Sequence, residues 1–245
     1  MKAGYQAVGR VVALHRFPVK SMGGEDVEQV HLGWHGIEGD RRHAFVRSGD
    51  LSGLPWLSAR EMPRLVAYRA AYQDPADPRR ASISVTTPAG PTLPLESPQV
   101  RHNVAEAWGA PVHLMQLHRG AFDSMNVSLI TTRSVQSIAD HFERPLEIER
   151  FRANIVIDSD ADRAFPEERW VGELLVFGER SDAGRVRVNR RDKRCSVVSL
   201  NPITGEQDLP VHKAVIEGRK NQLGVYGSTE RAGAIAVGDT VYLRR

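Results

Sequence analysis

Short apolar–polar alternations, cut by glycine and proline, dominate this chain, and only one stretch carries a sustained helical period. "GRVVALHRFPV" mixes β-branched and polar residues and halts at Pro18. "GGEDVEQVHLGWHGIEGDRRHAFV" alternates at Val27, Gln29 and Val30, crosses glycine turns and re-enters a strand at residues 43–46. Residues 65–71 read as a further strand, and "SISVTTPAGPTLPL" as a hairpin about Ala89-Gly90. Strands return at 154–158, 173–177 and 186–200, and "AGAIAVGDTVYLRR" closes with a strand, a Gly-Asp turn and a strand. "TTRSVQSIADHFE" is the clear helix: Val135, Ile138, Ala139 and Phe142 share a face and a threonine precedes them as a cap. "NVAEAWG" offers a short second helix with Asn103 as N-cap and Gly109 as stop. The expectation is a mainly β chain with a few α-helices (α+β), built as two β-barrel-like lobes, residues 1–120 and 121–245.

At 245 residues, 41% of them hydrophobic, the chain can bury a core without disulfide staples. Its single cysteine, Cys195, fits a reducing compartment. The first twenty residues lack the apolar core of a secretory signal, and no apolar window is long enough to span a membrane. The expected location is cytoplasmic, with no membrane partner. The net charge of +3 is carried by scattered arginines without interleaved aromatics, which argues against nucleic acid and suits small anions such as phosphates.

The charge is densest around the thiol. Arg187, Arg190, Arg191, Lys193 and Arg194 all precede Cys195 closely. If the strand continues to Cys195, alternation places Lys193 on its face and Arg194 on the other. A lone cysteine is most often a small buried hydrophobe. Positive charge at that distance favours the thiolate, the form that attacks electrophiles and binds soft metals. "PVKSMGG" sets Lys20 and Ser21 before two glycines, where a charge, a hydroxyl and accessible backbone N–H groups would suit a phosphate. "GDRRHAF" brings Arg41, and "RFRANIV" sets Arg152 and Asn154 two apart, hence on one face of a strand. The nine histidines give no site as sharp, and neither GxSxG nor GxGxxG occurs.

Together these motifs resemble a known family. "RFPVKSMGGEDVEQVHLGWHGIEGDRRHAFV" and "LSAREMPRL" are similar to the N-terminal β-barrel domain that precedes MOSC domains. "RFRANIVID…FPEERWVGELLVFGE", "KRCSVVSLNPITGE" and "LGVYGSTERAGAIAVGDTVYL" resemble the MOSC domain itself, the molybdenum-cofactor sulfurase C-terminal domain. Relatives include the mitochondrial amidoxime-reducing component and bacterial proteins that detoxify N-hydroxylated bases. The resemblance implies a molybdenum cofactor (molybdopterin), with Cys195 after Arg194 as the metal ligand and catalytic position. It implies Lys20 and Ser21 at the pterin phosphate, Arg41, Arg152 and Asn154 about the pterin, Arg194 as a cofactor contact beside the ligand, and Asn126 and Ser128 as further contacts. Pyridoxal phosphate binding also travels with the family description. The implied reaction is reduction of small N-oxygenated substrates.

Two departures stand out. Many relatives carry a second cysteine three positions before the ligand, where this chain has Asp192, and Ala153 replaces the usual proline of the "FRPN" element. Some bacterial relatives carry an iron–sulfur domain. With one cysteine, this sequence implies no intrinsic Fe–S cluster, so electrons would come from a separate donor of the ferredoxin or flavin-reductase type. The competing reading is a sulfur carrier holding a Cys195 persulfide for metal–sulfur centre assembly.

Overall fold

The computed structural model describes residues 4–123, 126–142 and 144–244. In chain order the strands are β1 (Tyr5–Arg16), β2 (Glu25–Asp26), β3 (Gln29–Gly33), β4 (Gly36–Ile37), β5 (His43–Arg47), β6 (Arg69–Tyr72), β7 (Ile83–Thr86) and β8 (Thr92–Pro94). Helix α1 (Pro98–Trp108), β9 (Val112–Gln116), β10 (Val127–Thr131), α2 (Thr132–Ala139), β11 (Ile155–Ser159), β12 (Leu174–Phe177) and β13 (Arg185–Lys193) follow. The chain continues through α3 (Leu209–Arg219), β14 (Gln222–Arg231), β15 (Gly233–Ala236) and β16 (Thr240–Arg244).

The mainly β expectation holds. Seven strands run in the order β11-β10-β14-β13-β12-β16-β1, and β1 pairs back onto β11, so the sheet closes. Closure leaves no exposed edge to template aggregation. β1 does double duty because bulges at Ala7/Gly9 and Val11/Ala13 let it pair with β16 along its first half and β11 along its second. Val11, Leu14, Leu129, Ile157, Leu175, Phe177, Val188 and Val225 fill the interior. The outer face of β10 is covered too: Ile130 joins Val135 and Ile138 of α2 and Val211 and Val215 of α3 in a second core. That is why all five β10 residues are buried.

A further core, with Met22, Phe45, Leu57, Leu65, Val85 and Val104, gathers β5-β9, β6-β7-β8 and α1 into a smaller lobe. The hairpin through Ala89-Gly90 is present, with Thr86 opposite Thr92.

Several local expectations change. Residues 63–67 form a 3-10 turn, with Pro63 pre-set at its start, before the strand begins at Arg69. α1 starts at Pro98, not beyond Asn103, because Ser97 accepts from the Val100 N–H and Pro98 fits the first helical position. α2 keeps its threonine cap: Thr131 accepts from the Ser134 N–H. α3 was not anticipated. Its proline-led start and the Val211/Val215 pair were the only helical signals it offered.

Glu167 ties α2 to the barrel. It is fully buried, and the Thr131 and Ser134 hydroxyls donate to it at 2.7 and 2.6 Å. Burial pushes its carboxyl up, and those two hydroxyls only partly offset the shift. Glu167→Ala strands two buried hydroxyls and is expected to cost about 2–3 kcal/mol by urea unfolding, while Glu167→Gln keeps an acceptor and costs less.

Candidate functional site

The strand expected over residues 186–200 stops at Lys193. Asn221, in the left-handed region at φ 61°, exchanges bonds with Arg194: the Arg194 N–H donates to the Asn221 carbonyl at 2.9 Å, and the Asn221 amide donates to the Arg194 carbonyl at 2.7 Å. Cys195 then begins a 3-10 turn, Ser196–Ser199, rather than extending a strand, so face-sharing with Lys193 does not apply. Arg150 holds that turn by donating to the Val198 carbonyl at 3.1 Å. The thiol is exposed, not packed as a core hydrophobe.

Cys195 opens onto a cleft of about 730 Å³ that also takes Lys20, Ser21, Arg41, Ser128, Arg152 and Arg194. Six of the expected residues therefore converge around the sulfur from segments far apart in sequence. Asn154 lies one layer behind: its buried side chain accepts from Arg41 and from the Ser128 N–H, and donates to the His15 carbonyl. Asn126 does not line the cleft; its backbone carbonyl packs against Gly36, where a Cβ would come within 2.3 Å.

Three cleft residues, Ser21, Arg41 and Arg152, have φ of 67°, 48° and 51°, half of the non-glycine residues so strained among those described. Strain concentrated around one cavity marks a built site. Arg152 ends a 3-10 turn instead of sitting on a strand, so it and Asn154 diverge: the asparagine goes inward, the guanidinium toward the cleft. The backbone cradle expected at Lys20-Ser21 is largely spent internally. The Lys20, Met22 and Gly23 N–H groups donate to His43, Val19 and Tyr68 carbonyls. Gly24 is needed for packing, since a Cβ there would lie 2.2 Å from the Arg16 carbonyl. The side chains, not the loop amides, face the cavity.

Their electrostatics are unbalanced. Arg41 is largely committed: it pairs with Asp40, meets Asp123 at 2.9 Å and donates to the Arg152 carbonyl. Burial opposes its charge, but those two carboxylates outweigh it and raise its pKa. Arg152 has no such partner. Burial first, then repulsion from Arg41, pushes it down to about 10, and its Nη2 is buried with no hydrogen-bond acceptor. Lys20 is also lowered, by burial ahead of Arg41 and Arg152, with Asp123 and the Cys195 sulfur pulling the other way. It donates to the Phe122 carbonyl at 2.7 Å. An anion in this cleft would offset the burial and repulsion that depress Arg152 and Lys20.

Asp192, at the position of the relatives' second cysteine, is buried and ion-paired to Arg194 at 2.8 Å, with the Ser128 hydroxyl donating to it. Trp56 and Phe122, edge-on at 5.6 Å, together with Leu54 and Leu117 give the same cleft an apolar wall. Isolated aromatics in loops left no trace of this wall in the sequence, and the Arg150 and Asn221 anchors were equally silent.

The chain thus joins a closed β-barrel to a cleft lined by one exposed thiol and by Lys20, Arg41 and Arg152. The family profile described as MOSC domain matches residues 116–242, and that of the MOSC N-terminal beta barrel domain matches residues 8–128. The chain belongs to the MOSC-domain family, which is associated with molybdenum-cofactor binding. Among solved structures, the YUAD protein from Bacillus subtilis shares the fold at 13% identity and TM-score 0.52, covering 98% of this chain and 96% of that one. YiiM from Escherichia coli aligns at 12% identity and TM-score 0.44 over 96% of this chain and 70% of its own. No curated protein matches the sequence. Among the described residues, no helix is long and apolar enough to cross a membrane.

Proposed function

We propose that this chain is a molybdenum-cofactor-binding oxidoreductase that reduces N-oxygenated compounds. The observation that carries the reading is the unpartnered Arg152 Nη2 in the same cleft as the exposed Cys195 thiol. The donor set fits the cofactor: one soft sulfur for the metal, and Lys20, Ser21 and Arg152 for an acidic pterin tail. Bound there, the cofactor would supply two-electron oxygen-atom chemistry that protein side chains lack. The chain's own part is to fix the sulfur on a rigid turn, neutralise the tail and exclude water with the Trp56–Phe122 wall. That wall suits the carbon skeleton of a flat substrate. Electrons would arrive from a separate ferredoxin- or flavin-reductase-type protein.

Protein purified from a host that makes the cofactor should contain molybdenum and pterin close to one per chain by elemental analysis and fluorescence. Absence of both would sink the reading. A stability signature accompanies it. Lys20's folded pKa is depressed, so its contribution is present only above its ordinary 10.5 and is lost as pH falls through the folded value. At neutral pH its charge therefore costs stability. Lys20→Met should raise the Tm of the cofactor-free protein while weakening its stabilisation by added pyrophosphate. Each kcal/mol recovered is worth roughly 2–4 °C in a chain of this size.

A further inference from the structure

The two ends of β13 face different cavities: Lys193 lines the thiol cleft, while Arg185 and Arg187 line grooves on the outer face. Val186 and Val188 alternate into the interior, so Arg185 and Arg187 face outward. On that outer face Arg187 and Arg244 flank Leu174 across neighbouring strands, and Arg185 lies beside Val176 and opposite Arg231. Leu174 and Val176 form a small apolar cluster with Ala183, onto which Tyr5 and Tyr242 pack. Two grooves of about 380 and 450 Å³ meet here and share Arg185 and Arg231.

This charge is poorly matched. Arg187 reaches Glu230 only at 3.4 Å. Arg231 donates to the Ser181 carbonyl, and Arg244 lies over the Tyr5 ring at 5.8 Å. The Arg185 side chain makes no hydrogen bond or ion pair among the described residues, and its Nε is buried. Like charges opposite one another on adjacent strands repel, so Arg185 and Arg231 stand at a cost that a bridging anion would remove. Guanidinium groups match phosphate oxygens with paired N–H donors. The tyrosine rings and aliphatic floor suit a flat apolar group, and the groove volume is in the range of small-molecule sites.

We propose that this outer face binds a small phosphorylated aromatic molecule of the nucleoside-monophosphate class, its phosphate between Arg185 and Arg231 and its ring against Tyr5 and Tyr242. The site is distinct from the thiol cleft: eight residue steps along β13 separate Arg185 from Lys193, roughly 25 Å.

The test is an amide NMR titration of the full chain with AMP, adenosine and inorganic phosphate in separate arms. AMP should saturate, shift amides of β12, β13, β14 and β16 near the groove, and bind more tightly than either half alone. Arg185→Ala/Arg231→Ala should weaken AMP about tenfold or more without lowering the Tm. Tyr242→Leu should bring AMP down toward the affinity of phosphate. Lys20→Met should leave the groove shifts in place. Three results would overturn the proposal: no saturable AMP binding at millimolar concentration, equal affinity for AMP and phosphate, or shifts confined to the Lys20–Cys195 cleft.

Discussion

Cys195→Ser, purified from a cofactor-competent host, is expected to lose its molybdenum to background while keeping the wild-type fold. The substitution removes one polarizable sulfur and puts a hard, protonated hydroxyl in its place, a poor ligand for a soft site. No packing at the position depends on the sulfur. The residue is exposed and belongs to no core cluster, and its backbone carbonyl still accepts from the Val198 N–H at 3.2 Å. An exposed change of this kind stays within about 0.5 kcal/mol, a Tm shift of roughly 1–2 °C. Elemental analysis, circular dichroism and thermal melting therefore separate ligand loss from unfolding. Full metal content in the serine variant would remove Cys195 from the coordination sphere. The sulfur-carrier alternative makes a different demand: wild-type, metal-free protein carrying one extra sulfur atom on Cys195 by intact mass, with wild-type pterin affinity indifferent to Lys20 and Arg152. The unpartnered Arg152 Nη2 argues against it, because a persulfide has no need of a distant anion clamp.

Alternation made the strands readable wherever one face met the barrel interior, as in β13, where Val186 and Val188 are buried between half-buried arginines. It was equally sound for α2, whose threonine cap and apolar face are local properties. Closure of the barrel was not readable, since it depends on bulges that let β1 change partners midway. The convergence of Lys20, Arg41, Arg152 and Cys195 came through motif resemblance, not spacing, because residues so far apart meet only through long-range pairing. What the residues could not signal was which charges are already spent. Arg41 and Arg152 look alike in sequence, yet Asp40 and Asp123 neutralise one and leave the other under-partnered. The basic run before Cys195 likewise divides: Arg194 turns inward as a structural peg, whereas Arg187 belongs to the outer face.

That peg gives the largest stability effect expected in the molecule. Arg194 is buried and donates to the Leu223 carbonyl at 2.6 Å and the Phe151 carbonyl at 2.7 Å, besides its ion pair with Asp192. It thus joins β14, the turn before β11 and the end of β13 directly beneath the thiol. Arg194→Ala leaves a buried carboxylate without its cation and two carbonyls without donors. Breaking a buried pair from one side costs about 3–5 kcal/mol, so Tm should fall by about 10 °C. The pH dependence identifies the cause. Burial already raises the Asp192 pKa, with Arg194, Ser128 and Tyr226 opposing the rise, and losing Arg194 raises it further. A carboxyl raised in the folded state contributes stability that is complete below its ordinary value of 3.8 and is lost as pH climbs through the folded value. The deficit of Arg194→Ala should therefore shrink as pH falls toward that ordinary value and Asp192 takes a proton. Arg194→Ala/Asp192→Asn should recover part of the loss at pH 8 and show a flatter profile. A pH-independent deficit, or a double variant no better than the single one, would mean that the two lost carbonyl contacts, and not the stranded aspartate, set the cost.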